Sequence, residues 1–401
     1  MDEKCVPRHS GFWQSGFNAT YTQPDQVFFG KVLMYRRSFL SLTVGAAAAA
    51  GLAPIVSLKA SGLYTASQPL LLNQNENSLG MSPRAIEAAK NSLASGHRYV
   101  DERLAALGAE LARHEGLLPE NISVSNGSTQ MIDAIVQAWA NKRATIVAPA
   151  ITYGQAQELA VNLGMSYNAV PMGEEFKMDL AAMEATSLAI DGAVLVYLVS
   201  PNNPTGRLAP SDAIAAWVKR APDNVFFLID EAYHELVADP AYESAVSLVK
   251  AGYENLAVTR TFSKIYAMAG MRVGYGMAHA RVMEEVSRYY ANWNVGVAAV
   301  AAASAALGDH AFFKRSFAEN QAARQMVYKA MNKLGLACIP SEGNFILHEI
   351  GMDLKAYQRA MLDRHIRVGR DMGTGQRWNR LSMGSVDEMA YFLEQFELLH
   401  S

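Results

Sequence analysis

The sequence predicts an α/β fold, with a large domain built on a mostly parallel sheet and a smaller α+β domain beside it. Three observations carry that expectation. From Gln68 onward, strand-like and helix-like patterns alternate along the chain. The strand-like runs are short, β-branched-rich and apolar throughout, as strands covered on both faces by helices must be. At 401 residues, the chain exceeds one simple core and suits a large domain with a smaller companion.

The elements follow in order. Apolar runs at Ala144–Ala148, Ala193–Val199, Val225–Ile229 and Leu256–Val258 are bounded by turn residues and read as buried strands. Helical periodicity fills the intervals at Thr129–Asn141, Gly154–Leu163 and Ala213–Arg220, so helices are expected on both sheet faces. After Asn294 comes an alanine-rich helical stretch, then a basic amphipathic one from about Phe312 to Leu334. Ala337–Ser401 reads strand, helix, strand, strand, helix. The expected boundaries are residues 63–96 for the N-terminal part of the small domain, 97–310 for the large domain and 311–401 for the rest of the small one. There is no internal repeat, and Ala46–Ala50 is the only low-complexity tract.

Composition excludes several classes. Half the residues are hydrophobic, 18% are charged and the net charge is −3, an ordinary globular balance. No basic stripe of the kind nucleic acid requires is present, so no nucleic-acid partner is expected. The two cysteines, Cys5 and Cys338, have no metal-ligand spacing and form no disulfide framework, so no metal is expected.

Residues 1–62 are set apart from the fold. Met34-Tyr35-Arg36-Arg37-Ser38-Phe39-Leu40 precedes a small and apolar run from Thr43 to Leu58. Paired arginines followed by a weakly hydrophobic core resemble a twin-arginine export signal. The bland alternative is an alanine-rich surface helix after a chance Arg-Arg pair. The run is shorter than the ~20 residues a spanning helix needs, so no stable membrane insertion is expected after processing. Ala60-Ser61-Gly62 offers small residues for cleavage. Residues 1–33 are mixed in composition, which fits a translation start at Met34 as well as at Met1. The expected location is the periplasm, with the cytoplasm as the alternative.

The chemistry-bearing residues cluster after the strands. Thr261-Phe262-Ser263-Lys264 is followed by Ala269-Gly270-Met271-Arg272-Val273-Gly274. A lysine amine forms a Schiff base with an aldehyde cofactor where its surroundings favour the neutral amine. Hydroxyls at Thr261 and Ser263 and the Arg272 guanidinium suit a phosphate beside it. Read alone, Lys264 would be one more surface lysine. Asp230, in Ile229-Asp230-Glu231-Ala232-Tyr233, ends a buried strand at the sheet edge where α/β proteins bind ligands. A carboxylate there keeps a pyridine nitrogen protonated, although a helix N-cap explains a lone Asp equally well. Tyr233 is placed to donate to a ring's phenolic oxygen.

Ser200-Pro201-Asn202-Asn203-Pro204-Thr205-Gly206 forces a turn and aims Asn203 at that same oxygen. Asn126-Gly127-Ser128-Thr129-Gln130 opens a helix whose free N–H groups suit a phosphate, with Gly127 allowing close approach. Tyr153, after Pro149, is an aromatic able to stack on a planar ring, though a lone tyrosine is more often core.

Together and in this order, these motifs resemble the fold-type I pyridoxal-phosphate enzymes. Among these they resemble the class I/II aminotransferases of the histidinol-phosphate aminotransferase-like branch. The resemblance runs from about Leu70 to the end, with 34 residues from Asp230 to Lys264 and 8 from Lys264 to Arg272. It implies a seven-stranded-type sheet and pyridoxal 5'-phosphate as cofactor. It makes Lys264 the Schiff-base lysine and proton shuttle, with Asp230 on the pyridinium and Asn203 and Tyr233 on the phenolic oxygen. Tyr153 would stack on the ring, while Gly127, Ser128, Thr129, Thr261, Ser263 and Arg272 would cradle the phosphate.

His97-Arg98-Tyr99-Val100-Asp101 resembles the family's Arg-Tyr-Pro segment, with Val100 in place of proline. Its Tyr99 implies a homodimer in which the tyrosine reaches the partner subunit's phosphate. Arg380, in Asn379-Arg380-Leu381-Ser382-Met383-Gly384, matches the arginine that grips the substrate α-carboxylate.

The implied reaction is ping-pong transfer of an amino group from an amino acid to a 2-oxo acid. A carbon–sulfur β-lyase on the same residues is the runner-up, and a non-catalytic binding module is argued against by the intact Lys264. Asn75-Glu76-Asn77-Ser78-Leu79-Gly80 departs from the family's Asn-Glu-Asn-Pro-aromatic-Gly pattern. Leu79 replaces an aromatic that helps hold the phosphate end of histidinol phosphate, so that compound is expected to be a poor substrate. Arg370 matches a residue near the substrate's distal end and suits a carboxylate or another polar tail.

Overall fold

The computed structural model describes residues 64–401. The residues expected to form an export signal and its cleavage site, and Cys5, lie outside the described residues.

Seven strands form the main sheet: β2 (Ile122–Ser125), β3 (Thr145–Pro149), β4 (Tyr167–Val170), β5 (Val194–Val199), β6 (Val225–Asp230), β7 (Leu256–Thr261) and β8 (Gly274–Ala278). They follow β1 (Leu70–Leu72), and β9 (Phe345–Glu349), β10 (Ile366–Val368) and β11 (Trp378–Ser382) come later. The sheet order is β2-β8-β7-β6-β5-β3-β4. Every neighbouring pair is parallel except those of β8, which runs antiparallel to both β2 and β7.

Alternation along the strands divides the core in two. Val196 and Leu198 of β5 and Phe227 and Ile229 of β6 face one side, with Trp217 and Val300 from flanking helices. Leu195, Tyr197, Phe226 and Leu228 face the other, against Met131, Ile132 and Ile135 of helix Gly127–Asn141. All six residues of β5 and of β6 are buried, as continuous apolar strands in a doubly covered sheet should be.

A third core packs β1, β10 and β11 against helices His310–Leu334 and Val386–Leu399 through Leu70, Leu72, Val327, Ile366, Leu381 and Phe392. Leu70–Leu72 pairs in parallel with Ile366–Val368, which ties the start of the described chain to its end. The basic amphipathic helix begins two residues earlier than the periodicity suggests, because Asp309 caps it by accepting from the Phe312 N–H.

The order of strands fixes where a ligand sits. From β3 the chain goes outward to β4, then returns to the other side of β3 as β5. The crevice beyond the carboxyl ends of β3 and β5 is therefore a topological switch point. The loops after β3, β5, β6 and β7 carry Tyr153, Asn203, Tyr233 and Lys264 to it.

Candidate active site

A cavity of about 430 Å³ opens at that crevice, and most of the residues singled out in the sequence line it. Ser128, Thr129, Tyr153, Asn203, Asp230, Tyr233, Thr261, Ser263, Lys264 and Arg272 surround one part, with Arg370 and Arg380 beside them.

The end near helix Gly127–Asn141 is built for an anion. Arg272 donates to the Ser263 Oγ at 3.4 Å and to the Ala269 carbonyl at 3.1 Å, while Thr261 Oγ1 donates to Ser263 Oγ at 2.8 Å. Gly127 has φ +73, and a Cβ there would lie 2.3 Å from an Arg272 nitrogen. Only glycine lets the guanidinium pack over the first turn of the helix. Gly274 serves the same loop from β8, since its Cβ would meet the Ser128 nitrogen at 2.2 Å. Hydroxyls, free helix N–H groups and a guanidinium form the donor set a phosphate ester needs.

Asp230 is 2% exposed and points into the cavity. Its neighbour across the ladder, Thr259, donates to Oδ1 at 3.0 Å. The Ala232 N–H adds a second bond. Asp230 caps no helix, for the chain turns at Glu231–Tyr233 instead. Burial pushes its pKa up to about 6, against the opposing pull of these bonds and of Lys264. Lys264 is half-buried, with Nζ 3.3 Å from the Asn75 carbonyl and 5.4 Å from the Tyr233 ring centroid. Burial, then the charge of Arg380, pushes its pKa down to about 8, which brings the neutral nucleophilic amine within reach near neutrality.

Asn202 and Asn203 divide the work of their turn. Asn202 is fully buried and ties the loop to the end of β3, donating to the Ile151 carbonyl at 2.9 Å and accepting from Thr152 at 2.8 Å. Asn203 accepts from Arg380 Nη1 at 2.8 Å through Oδ1. Arg380 is 5% exposed, sits over the Phe345 ring and donates from Nη2 to the Asn73 carbonyl at 2.8 Å. Each terminal nitrogen keeps a second hydrogen for a further acceptor, and a carboxylate suits a guanidinium. Tyr153 pairs with Thr129 through its hydroxyl at the cavity wall.

Three sequence-singled residues are not part of the lining. Gly127 lies behind Arg272. Tyr99 is 77% exposed and packs at a tilt against Trp293, with ring centroids 4.6 Å apart. Leu79 is half-buried, with its N–H on the Asn77 side chain at 3.1 Å, and does not reach the cavity. The discrimination expected of Leu79 has no contact within one chain to act through.

Sequence reasoning missed Thr259, Asn73 and Met372, and although it placed the Asn75–Pro83 segment at the pocket, it gave Asn75 no role of its own. The signal for Asn75 was present in the Asn-Glu-Asn segment, but its fold partners lie 158 to 307 residues away.

Residues 67–396 match the family of class I and II aminotransferases. The chain belongs to this family. As a class I/II aminotransferase of fold type I, it uses pyridoxal phosphate to transfer the amino group of an amino acid. The chain is 35% identical over 330 residues, 81% of its length and 87% of the relative's, to histidinol-phosphate aminotransferase 1 of Nitrosococcus oceani. A solved structure from Erwinia carotovora atroseptica, provisionally named a histidinol-phosphate aminotransferase, aligns with a TM-score of 0.82 at 38% identity, covering 84% of this chain and 97% of that one. The histidinol-phosphate aminotransferase of Sinorhizobium meliloti, solved with pyridoxal-5'-phosphate, aligns with a TM-score of 0.75 at 27% identity, covering 82% and 91%.

The aminotransferase cavity fits that cofactor. Its anion cradle, buried carboxylate and depressed lysine match the phosphate, pyridine nitrogen and aldehyde in turn.

Proposed function

We propose that this aminotransferase takes an amino acid whose α-carboxylate docks on Arg380 and whose side chain extends toward Arg370. The observation that carries the reading is the cavity's division, with an anion cradle at Gly127–Thr129 and Arg272 in one part and a boxed guanidinium in another.

Pyridoxal phosphate supplies an electrophilic aldehyde and a ring that delocalises a carbanion. The protein does the rest. Lys264 provides the amine that attaches the cofactor and carries a proton to and from the substrate α-carbon. Asp230 keeps the pyridine nitrogen protonated, and Tyr153 stacks on the ring. Tyr233 and the free amide of Asn203 hold the phenolic oxygen. Ser128, Thr129, Thr261, Ser263 and Arg272 hold the phosphate. The enzyme works as a homodimer, with Tyr99 of each chain reaching the other's phosphate, which accounts for an aromatic pair left standing at the surface.

Arg380 is the sharpest test of the substrate reading. Removing a charge-assisted pair to the carboxylate costs about 3 kcal/mol, or roughly a hundredfold. Arg380→Ala should lower kcat/KM about a hundredfold for the amino acid that heads a panel of aromatic, basic, imidazole-bearing and sulfur-containing candidates. The corresponding amine without a carboxylate should change little. Equal losses for both would remove Arg380 from carboxylate recognition. Histidinol phosphate belongs in the same panel, and its leading place there would sink the proposed docking of an α-carboxylate on Arg380.

We also propose that the protein is exported to the periplasm. The support is the Arg36-Arg37 pair ahead of a weakly hydrophobic run, a pattern that delivers folded, cofactor-loaded enzymes. Changing both arginines to lysine should leave cofactor-loaded protein in the cytoplasm. Cytoplasmic fractionation of the unaltered protein would overturn the proposal.

A further inference from the structure

The segment Asn73–Glu76 crosses the cavity, and one of its residues has every polar atom engaged. Asn75 is 1% exposed and holds a left-handed φ of 55, a conformation asparagine tolerates better than most residues. Its N–H donates to Ser382 Oγ at 2.7 Å, and the Ser382 hydroxyl donates back to Asn75 Oδ1 at 3.0 Å. Its carbonyl accepts from Asn344 Nδ2 at 2.8 Å and from Lys264 Nζ at 3.3 Å. Its amide Nδ2 donates to the Tyr233 hydroxyl oxygen at 3.1 Å.

In this orientation Oδ1 accepts from the Ser382 hydroxyl and the NH₂ group faces Tyr233. An amide nitrogen has no lone pair to offer, so Tyr233 cannot donate to it. The phenol accepts from Asn75 and keeps its own hydrogen for the cavity. Its ring is also fixed edge-on to Phe345, with centroids 5.0 Å apart.

We propose that Asn75 is a positioning residue: its amide, held by Ser382, sets the Tyr233 hydroxyl as a proton donor toward the cofactor's phenolic oxygen. The proposal rests on Tyr233 contacting that oxygen. A donor there stabilises the deprotonated form of the bound chromophore, so weakening the donor raises the pH at which the visible band of the loaded enzyme titrates.

The experiment is a spectroscopic pH titration of the loaded protein, read with no substrate present. Tyr233→Phe should raise the midpoint by about one pH unit, a tenfold change in the proton equilibrium. Asn75→Gly keeps the left-handed backbone and the carbonyl but removes the amide, and should raise it by about half a unit, roughly threefold. In the Tyr233→Phe background, Asn75→Gly should add almost nothing, since its path runs through the missing hydroxyl. Ser382→Ala, which frees the amide without touching Tyr233, should shift the midpoint the same way by less, and it serves if Asn75→Gly does not fold.

A residue that merely braced the fold would lower the melting temperature and leave the midpoint alone. If Tyr233→Phe shifts the band but neither Asn75→Gly nor Ser382→Ala does, the role of Asn75 is overturned and that of Tyr233 stands. A full additive shift in the double variant overturns it too. If Tyr233→Phe itself leaves the midpoint in place, the reading of Tyr233 falls and this proposal with it.

Discussion

Lys264→Ala is expected to abolish turnover, by about 10⁴-fold or more, and to erase the visible absorbance of the loaded enzyme while leaving the chain folded. Two losses coincide at one atom. On the proposed roles, the amine that would attach the cofactor disappears, and so does the base that would move the α-proton. The fold does not need that amine, because Nζ makes a single long bond, 3.3 Å to the Asn75 carbonyl. Burial holds its pKa near 8 rather than 10.5, so the folded chain binds this proton less tightly than the unfolded one. Charging Lys264 therefore opposes folding below pH 8, and alanine relieves that cost. The melting temperature of the unloaded variant should equal or exceed the parent's. Lys264→Arg should be inactive as well, since a guanidinium keeps its charge and cannot serve as the nucleophile. In the unaltered protein, covalent uptake of the cofactor should accelerate as pH rises through about 8, where the amine loses its proton. Multiple turnover by Lys264→Ala at near-parental rate would end the assignment.

The fold was legible because its strands are buried on both faces. Val194–Val199 and Val225–Asp230 carry their burial in composition, and no tertiary partner is needed to recognise them. The cavity-lining residues were legible for a related reason, as most sit just after a strand or at a helix start in a short local motif. What local sequence does not encode is which of two adjacent carboxylates faces the site. Asp230 and Glu231 differ only in strand parity. Asp230 turns to the cavity, whereas Glu231 points away and clamps Arg260 at 2.8 Å, with Glu115 on the same guanidinium at 2.7 Å. Thr259 was hidden likewise, since its bond to Asp230 depends on the register of β7 against β6. Asn75 escaped because its meaning lies in Tyr233, Ser382 and Asn344, which the fold alone brings together. Tyr99 and Leu79 are the converse case: local motifs marked them, yet within one chain neither reaches the cavity.

Asp230→Asn separates catalysis from stability most cleanly. The substitution keeps the shape and an oxygen able to accept from Thr259, but removes the charge. A neutral amide does not hold the pyridine nitrogen protonated, so the ring loses its capacity to take up the electrons released at the α-carbon. Loss of a preorganised charge at the reacting group costs about 10³-fold in kcat. The fold should respond in the opposite sense. Burial raises the Asp230 pKa from the ordinary 3.8 to about 6, so the folded chain holds this proton more tightly than the unfolded chain does. Between about pH 4 and pH 6 the group therefore withdraws stability as it ionises, on the order of 3 kcal/mol in full. Asparagine does not ionise, so the unloaded variant should melt no lower than the parent at pH 7.5, and its stability should fall less as pH rises from 4 to 6. Lys264 adds a second, spectroscopically independent sign. Its pKa is held up in part by the Asp230 charge, and without that charge it should drop further, moving the pH dependence of cofactor uptake below 8. A variant that loses activity only because it unfolds would show a depressed melting temperature and no such displacement. Retention of more than a tenth of the parental kcat with a fully loaded site would show that the pyridine nitrogen is not the carboxylate's partner.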